Sequence, residues 1–222
     1  MHPPAKLLAT DLMHAQSAAD YQAALRQALG RFDELAAQTV ADSEVKLACG
    51  AGCSLCCWLR VDVYAHEVFL IADHLQTHFS PEALAALRVR LERHAEQVRP
   101  LTPFAHATRN VVCPLLEEGR CSIYAVRPHT CRRQHSKDFA ACQFTYDHPT
   151  DLEFPGAHDR ALFRTLTVAM QQGSEVYAQL GYDATIYELG TALAEALDRP
   201  ACWPRWRKGK RAFLHASVTP AG

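Results

Sequence analysis

The sequence predicts a mainly α-helical protein: a helical scaffold with a small irregular or β-containing cysteine-rich metal module in its middle. Two observations predict this. Apolar residues recur at three- and four-residue spacing on both sides of the centre, and the cysteines crowd into the centre itself. With 222 residues, 49% of them hydrophobic, the chain is long enough to bury a core as one domain. We therefore expect a single domain over 1–222, with the cysteine module at about 46–143 and a helical C-terminal part at about 157–198.

Three helices are predicted in the first half of the chain. Apolar residues at i, i+3 and i+4 predict one helix over 17–38 and another over 64–79. A third begins at Ser80 and Pro81, because serine caps helix N-termini and proline is favoured at the first helical position. Pro100 ends this third helix, because proline cannot continue the backbone hydrogen bonds.

Short strands and two further helices complete the predicted order. The β-branched run at 61–63 predicts a small strand, and the turn residues within 111–124 predict a hairpin or knuckle. Helical spacing returns over 162–180, with Gly181 as the residue that ends the helix, and again over 183–197. The chain contains no internal repeat and no low-complexity tract.

The composition and net charge limit which partners and which cellular compartment the sequence predicts. The formal net charge is −1 and the pI is about 6.9, so no global charge favours nucleic acid or an anionic membrane as a partner. The N-terminus lacks the apolar region of a signal peptide, and no run approaches the roughly 20 apolar residues of a membrane helix. We expect a cytoplasmic protein with no membrane partner. The basic stretch at 205–211, beside Trp203 and Trp206, is interpreted as a solvated tail.

The cysteines are the candidate metal ligands. In a reducing compartment disulfides do not persist, so the nine cysteines indicate metal or redox chemistry. Four of them lie within nine residues together with two glycines, and thiolates at such short gaps suit a metal ion or an iron–sulfur cluster. The potential ligands are Cys49, Cys53, Cys56, Cys57, Cys113, Cys121, Cys131 and Cys142. Cys202 stands apart and is predicted to be a core residue.

Eight thiols exceed the four ligands of one tetrahedral zinc. The sequence therefore allows either two metal centres or one cluster with spare thiols. Adjacent side chains usually project in different directions, so Cys56 and Cys57 are expected to serve two neighbouring centres, or one of them packs without binding. His129 and His135 flank Cys131 and are weighed both as ligands or hydrogen-bond donors and as solvent-exposed loop residues.

Several separated motifs occur together around these cysteines. They are Cys-x3-Cys-x2-Cys-Cys from Cys49, then Cys113-Pro114-Leu115-Leu116, Gly119-Arg120-Cys121-Ser122-Ile123-Tyr124, and Arg127-Pro128-x-x-Cys131-Arg132. This combination resembles the YkgJ-type cysteine-cluster family, which is labelled as a zinc- or iron-chelating domain. The resemblance covers about 46–143. It implies that the first seven cysteines are ligands, with Cys142 at the place of an eighth, although Gln143 and Phe144 follow it where the family often has Pro-Gly.

The resemblance also implies that Arg127 and Arg132, which belong to the motif, stand beside the thiolates and offset their charge. The resemblance implies a metal ion as cofactor and partner. The metal is either zinc or iron, and iron would include the form of an iron–sulfur cluster. The resemblance gives no reaction and no protein partner.

Two other metal motifs fit the residues less well. The spacing from Cys49 to Cys56 is that of the radical-SAM cluster, but Leu55 stands where such enzymes usually have an aromatic residue. A DNA-binding zinc finger fits less well, because only one Cys-x2-Cys is present and the net charge is close to zero.

The predicted function is metal binding, with an iron–sulfur-dependent protein-modifying or redox enzyme as the alternative. The family that these motifs resemble includes a protein lysine methylase, so the resemblance is compatible with the enzyme alternative as well. An exchangeable coordination position would distinguish the two functions.

Overall fold

The computed structural model describes residues 3–43, 45–50, 52–154 and 156–219, and within them the chain is mainly helical. The helices are α1 Pro3–His14, α2 Ala18–Ser43, α3 Ala65–His78, α4 Pro81–Val98, α5 Pro103–Ala107, α6 His129–Arg133, α7 Phe139–Asp147, α8 Arg160–Gln179, α9 Leu189–Asp198 and α10 Cys202–Arg207. The strands are β1 Asp62–Tyr64, β2 Leu116–Glu117, β3 Arg120–Cys121, β4 Ile186–Glu188 and β5 Val218–Thr219. The mainly helical class predicted from the sequence is confirmed. No helix in these ranges has both the length and the apolar character needed to cross a membrane.

The main core lies where α3 and α4 each pack against α9. Ile71, Leu87 and Leu193 are fully excluded from solvent there, one from each helix. A three-stranded antiparallel sheet in the order β1-β4-β5 borders this core, with Val63 opposite Tyr187 at its centre. Burial of these apolar side chains is the main force that holds the region together.

A second helical layer is formed by α1, α2 and α8, which contact one another. Its apolar stripe along α2 includes Tyr21, Leu25 and Leu29, all buried in the same continuous core. The helix predicted over 17–38 is thus confirmed, and it continues to Ser43.

Local start signals behave as predicted. Ser80 caps α4, and its Oγ accepts a hydrogen bond from the Ala83 N–H at 3.2 Å. The predicted hairpin is the pair β2–β3, turned by Glu118 and Gly119 at φ 49° and 74°. Positive φ at both central residues suits the twist of a two-residue hairpin loop.

The helix predicted over 183–197 is wrong in its first third. Residues 186–188 form β4 instead, paired with β1, and α9 begins only at Leu189. The helix start is fixed by Glu188, whose carboxylate accepts the backbone N–H groups of Gly190 and Thr191 at 2.9 and 2.7 Å. Tertiary pairing with β1 outweighs the helical spacing of Ile186, because a strand partner satisfies the same backbone groups.

The basic C-terminal stretch is solvated only in part: Lys208, Lys210 and Arg211 are exposed, but the aromatic residue within the stretch is not. Trp206 is fully buried in the main core, and the Arg207 guanidinium stacks 3.5 Å from the centre of the Tyr21 ring. Cys202 is buried as predicted, with 2% of its surface exposed. The segment belongs to the scaffold because its aromatic rings pack on α2 and α3.

Candidate metal centre

The first cysteine loop is shaped by a tight turn. Gly52 adopts φ 88°, and the Cys53 N–H donates to the Gly50 carbonyl at 3.1 Å. A left-handed residue at this place costs little for glycine and would be strained for other side chains. A single 3₁₀ turn over Leu55–Trp58 follows and presents Cys56 and Cys57 one after the other.

Backbone contacts join this loop to the second group of cysteines. The Cys113 N–H donates to the Cys57 carbonyl at 2.8 Å. At the other end of the loop, the Ala48 N–H donates to the Ser136 carbonyl at 2.8 Å, and the Ser136 N–H points to the Cys49 sulfur at 3.3 Å. We call residues 48–58 and 113–142 the cysteine segments. Segments more than 50 residues apart in sequence therefore meet here.

Six predicted ligands line one cavity of about 520 Å³ between the segments. They are Cys53, Cys56, Cys57, Cys113, Cys121 and Cys131. Apolar side chains such as Leu115 and Ile123 form much of the remaining wall, together with Arg60, Arg120 and Arg127. Arg60 was not singled out from the sequence, because it lies in no recognisable motif, whereas Arg120 belongs to the motif that begins at Gly119.

The other two predicted ligands lie beside this cavity. Cys142 is on α7, which packs against the 3₁₀ turn. Burial raises the pKa of the Cys49 thiol, and negative charge on Cys142, Cys53 and Cys56 raises it further. These four thiols are therefore close enough to interact electrostatically, and the structure places Cys142 near Cys49.

The sulfur atoms surround a space and do not converge on a point. In the described parts of the chain, no three cysteine sulfurs lie within 4.8 Å of one another. Four thiolates on one tetrahedral zinc would lie about 3.8 Å apart, given zinc–sulfur bonds of about 2.3 Å. The thiols therefore line the cavity without forming a preassembled tetrahedral site among the described residues.

The thiols differ in how readily they lose a proton. Burial raises the pKa of Cys113 to about 12, and burial also raises the pKa values of Cys121 and Cys131. The hydrogen bond from the Cys57 thiol, helped by the charge of Arg127, lowers the pKa of Cys56 to about 7. Cys56 is thus the thiol that reaches the thiolate form most easily, and the thiolate is the form that binds metals.

The two motif arginines have different surroundings. Arg127 lines the cavity, its guanidinium lies 4.1 Å from the centre of the Tyr124 ring, and its buried Nε has no hydrogen-bond partner in the described residues. Arg132 is buried, pairs with Asp33, and donates to the Arg127 carbonyl at 2.8 Å. Of the two motif arginines, Arg127 lines the cavity with the thiols, whereas Arg132 holds the backbone that carries Arg127.

The two flanking histidines do not line the cavity. His135 is partly buried, and its Nδ1 has no partner among the described residues. His129 is also partly buried and bonds through Nδ1 to Glu67 at 2.8 Å. Neither is the solvent-exposed loop residue that was weighed as the alternative, and His129 belongs to a separate cluster with Glu67 and His66.

Comparison with known proteins agrees with the cysteine chemistry. Residues 48–150 match the family model named CxxCxxCC, described as a putative zinc- or iron-chelating domain. Residues 48–150 are similar to this domain family. The cysteine-cluster family predicted from the separated motifs is confirmed, and the matched range extends a few residues past the predicted 143.

The CxxCxxCC domain is described as chelating zinc or iron, which supports metal as the cofactor of this chain. Its range includes both cysteine segments and the cavity between them, as well as α3 and α4. Neither the curated proteins nor the solved structures contain a significant match to the chain.

Proposed function

We propose that the cysteine segments hold a centre of several metal atoms, zinc or iron, with all eight predicted cysteines as ligands. The observation that carries the proposal is the single cavity into which six thiols face from both segments. Thiolates favour zinc and iron–sulfur clusters and disfavour magnesium or calcium, so the donor set fits the chelating function described for the CxxCxxCC domain.

Cys56 has the central place in the proposed centre. Its charge acts on the pKa of Cys49 on one side and on the pKa values of Cys113, Cys121 and Cys131 on the other. A thiolate between two groups of ligands is suited to bridging two metal atoms. Because Cys56 and Cys57 both line the cavity, the two adjacent cysteines would take neighbouring positions of the same centre.

The metal would supply order to the first cysteine segment, in which no described residue is buried. Ligand thiolates close loops between distant segments, so the free energy of metal binding contributes directly to folding. Arg127 would offset the negative charge that several thiolates bring together. We also propose the cytoplasm as the compartment, because reducing conditions keep the thiols available to the metal.

A second candidate function is an iron–sulfur-dependent redox or modifying enzyme. The cavity favours it, because its wall contains apolar groups and arginines in addition to the thiols. An apolar pocket with a few polar groups is the usual form of a small-molecule site. This function requires one metal atom with an exchangeable ligand, whereas a purely structural or storage centre requires none.

Metal and sulfide analysis tests the proposal. The protein would be purified without oxygen and without added metal, and its zinc, iron and acid-labile sulfide measured per chain together with the visible spectrum. Two or more zinc ions in colourless protein support a polynuclear zinc centre. Brown protein with several iron atoms and matching sulfide supports an iron–sulfur centre and the enzyme candidate.

The matched variants are Cys56→Ser and Cys202→Ser. Cys56→Ser should lower the metal content, whereas Cys202→Ser should leave it unchanged, because Cys202 is buried away from the cavity beside the Glu195 carbonyl. A single metal ion per chain, or a metal content that both substitutions leave unaltered, would contradict the proposed centre.

A further inference from the structure

A second group of possible ligands lies apart from the thiol cavity. His66 and Glu67 are in the first turn of α3, and His129 is the first residue of α6. One ligand atom from each of the three residues lies within 4.8 Å of the others, and in the described ranges no other three histidine, cysteine or acidic residues come so close. His66 and Glu67 are buried, and His129 is partly buried.

We propose that His66, Glu67 and His129 form a second metal site, which takes a divalent transition ion through two imidazole nitrogens and one carboxylate oxygen. This donor set suits zinc, iron(II), cobalt(II) and related ions, and it contains no thiolate. Two ligands on such an ion lie about 3.4 Å apart, given bonds of about 2.1 Å. The three donors would need only small side-chain adjustments to reach that spacing.

His66 is the residue that points to a ligand. Its side chain is 8% exposed, and neither of its ring nitrogens has a hydrogen-bond partner among the described residues. The ring stacks on Tyr177 with centroids 3.8 Å apart and an interplanar angle of 13°, which fixes its plane. Its nitrogens are not among the fully buried atoms that lack a partner, so they are open to the cavity that His66 lines, where a water molecule or an ion can bind them.

Glu67 is held in place for the same site. One carboxylate oxygen accepts the backbone N–H and the Nδ1 of His129, both at 2.8 Å, and the other accepts the Tyr64 N–H at 2.9 Å. A carboxylate has about four lone-pair positions, so one remains for an ion. These bonds fix the distance between α3 and α6 before any metal is present.

Space and charge are also suitable. His66 and His129 line a cavity of about 60 Å³, which has room for a small exchangeable ligand such as water. Arg31 is on the same wall, but its Nη2 is paired with Asp11 at 2.7 Å. The positive charge of an ion would therefore face one buried carboxylate and a neutralised arginine.

A purely structural cluster is the competing explanation. The hydrogen bonds between Glu67 and His129 already join α3 to α6, and a structural role needs nothing more. It leaves His66 unexplained, however, because His66 takes part in neither bond. Removing the nitrogens of His66 while keeping its packing therefore separates the two explanations.

Cobalt titration of the metal-loaded full-length chain tests the site. We expect one Co²⁺ to bind with visible d–d bands and without sulfur-to-cobalt charge transfer, because no thiolate is a ligand. His66→Phe preserves the stacking on Tyr177 and should weaken cobalt binding by about 100-fold or more, since even residues that only orient ligands change affinity by 10–100-fold. Glu67→Gln keeps its hydrogen-bond acceptor and should weaken binding as well.

His74→Phe is the matched control, because His74 is on the same helix and stacks on His78 away from the cluster. It should leave cobalt binding unchanged. X-ray absorption of the wild-type cobalt complex should show nitrogen and oxygen ligands only, a result that does not depend on how a variant folds. Absence of cobalt uptake, equal uptake by His66→Phe and wild type, or sulfur among the cobalt ligands would overturn the proposal.

Discussion

The α3–α4–α9 core and the cysteine segments are held together in different ways. Nine of the 14 residues of α3 are buried, and most of them are apolar. In the first cysteine segment, 48–58, no described residue is buried, and its regular structure is a single 3₁₀ turn. The core thus gains its stability from apolar burial, whereas the segments are joined by a few backbone hydrogen bonds and carry their thiols around a cavity.

The two regions should therefore respond to different perturbations. Apolar packing needs no cofactor, so the core should persist when metal is removed. The first cysteine segment has no buried residue among those described, so it lacks the apolar burial that would offset the conformational entropy of its loop, whereas 113–142 places Leu115 and Ile123 in the core. The order of the first segment should therefore depend on the proposed centre.

Metal removal should have the largest effect. Chelation under reducing conditions should abolish hydrogen-exchange protection in 48–58, while the amides of α9 stay protected, because the first cysteine segment has no buried residue among those described and depends on the metal for its order. Hydrogen exchange followed by mass spectrometry measures both regions in one sample. Equal loss of protection in α9, or unchanged protection in 48–58, would remove the proposed distinction.

Single substitutions of Cys56 and Cys57 should sharpen the description of the centre. If the two cysteines serve neighbouring metal positions, Cys56→Ser and Cys57→Ser should lower the metal content by different amounts, the loss being larger for the central Cys56. Elemental analysis of each purified variant checks this. Identical losses would favour one shared position over two neighbouring positions.

A cavity in the core should destabilise the fold without changing the metal centre. Leu193 is fully buried on α9, and Leu193→Ala should lower the free energy of unfolding by about 2–5 kcal/mol. Urea unfolding monitored by circular dichroism measures this, with Val168→Ala as a control, since Val168 is exposed on α8. A large loss of metal from folded Leu193→Ala protein would show that the two regions are not independent.

Glu188 provides a smaller, pH-dependent test of the core. Burial alone would raise the pKa of Glu188, but its hydrogen bond with His94 and those from the α9 backbone lower it to about 2. A depressed carboxyl pKa stabilises the fold above its unfolded value near 4.5, and this contribution is lost as the pH falls towards 2. Glu188→Gln should cost about 1.5–3 kcal/mol at pH 7, as expected for a hydrogen bond to a charged group.

The difference between wild type and Glu188→Gln should shrink between pH 4.5 and 2, as measured by urea unfolding at each pH. Glu96→Gln on the exposed face of α4 is the control and should change little. A difference that stays constant over this range would mean that the charge of Glu188 does not contribute. The position of Glu188 also accounts for the glycine at position 190. A Cβ there would lie 2.4 Å from the ring of His94, which is hydrogen-bonded to Glu188.

Local signals in the sequence were sufficient for the long helices and for the identity of the cysteine domain. The spacing over 17–38 and the Ser80 cap act within a few residues, so no distant part of the chain needs to be known. The CxxCxxCC motifs likewise depend on short spacings, and the family match confirms them. The segment at 183–197 shows the limit of this reasoning, because β4 exists only through its pairing with β1.

The sequence by itself determined the helical class and the thiol chemistry, because periodicity and ligand spacing are properties of neighbouring residues. Tertiary structure decided which groups meet: six thiols around one cavity, Cys142 beside Cys49, and His66 with Glu67 and His129. Glu67 and His129 are 62 residues apart in sequence, and their hydrogen bond forms only when the fold brings α3 and α6 together. No local sequence pattern predicts this contact, because it depends on how the whole chain packs.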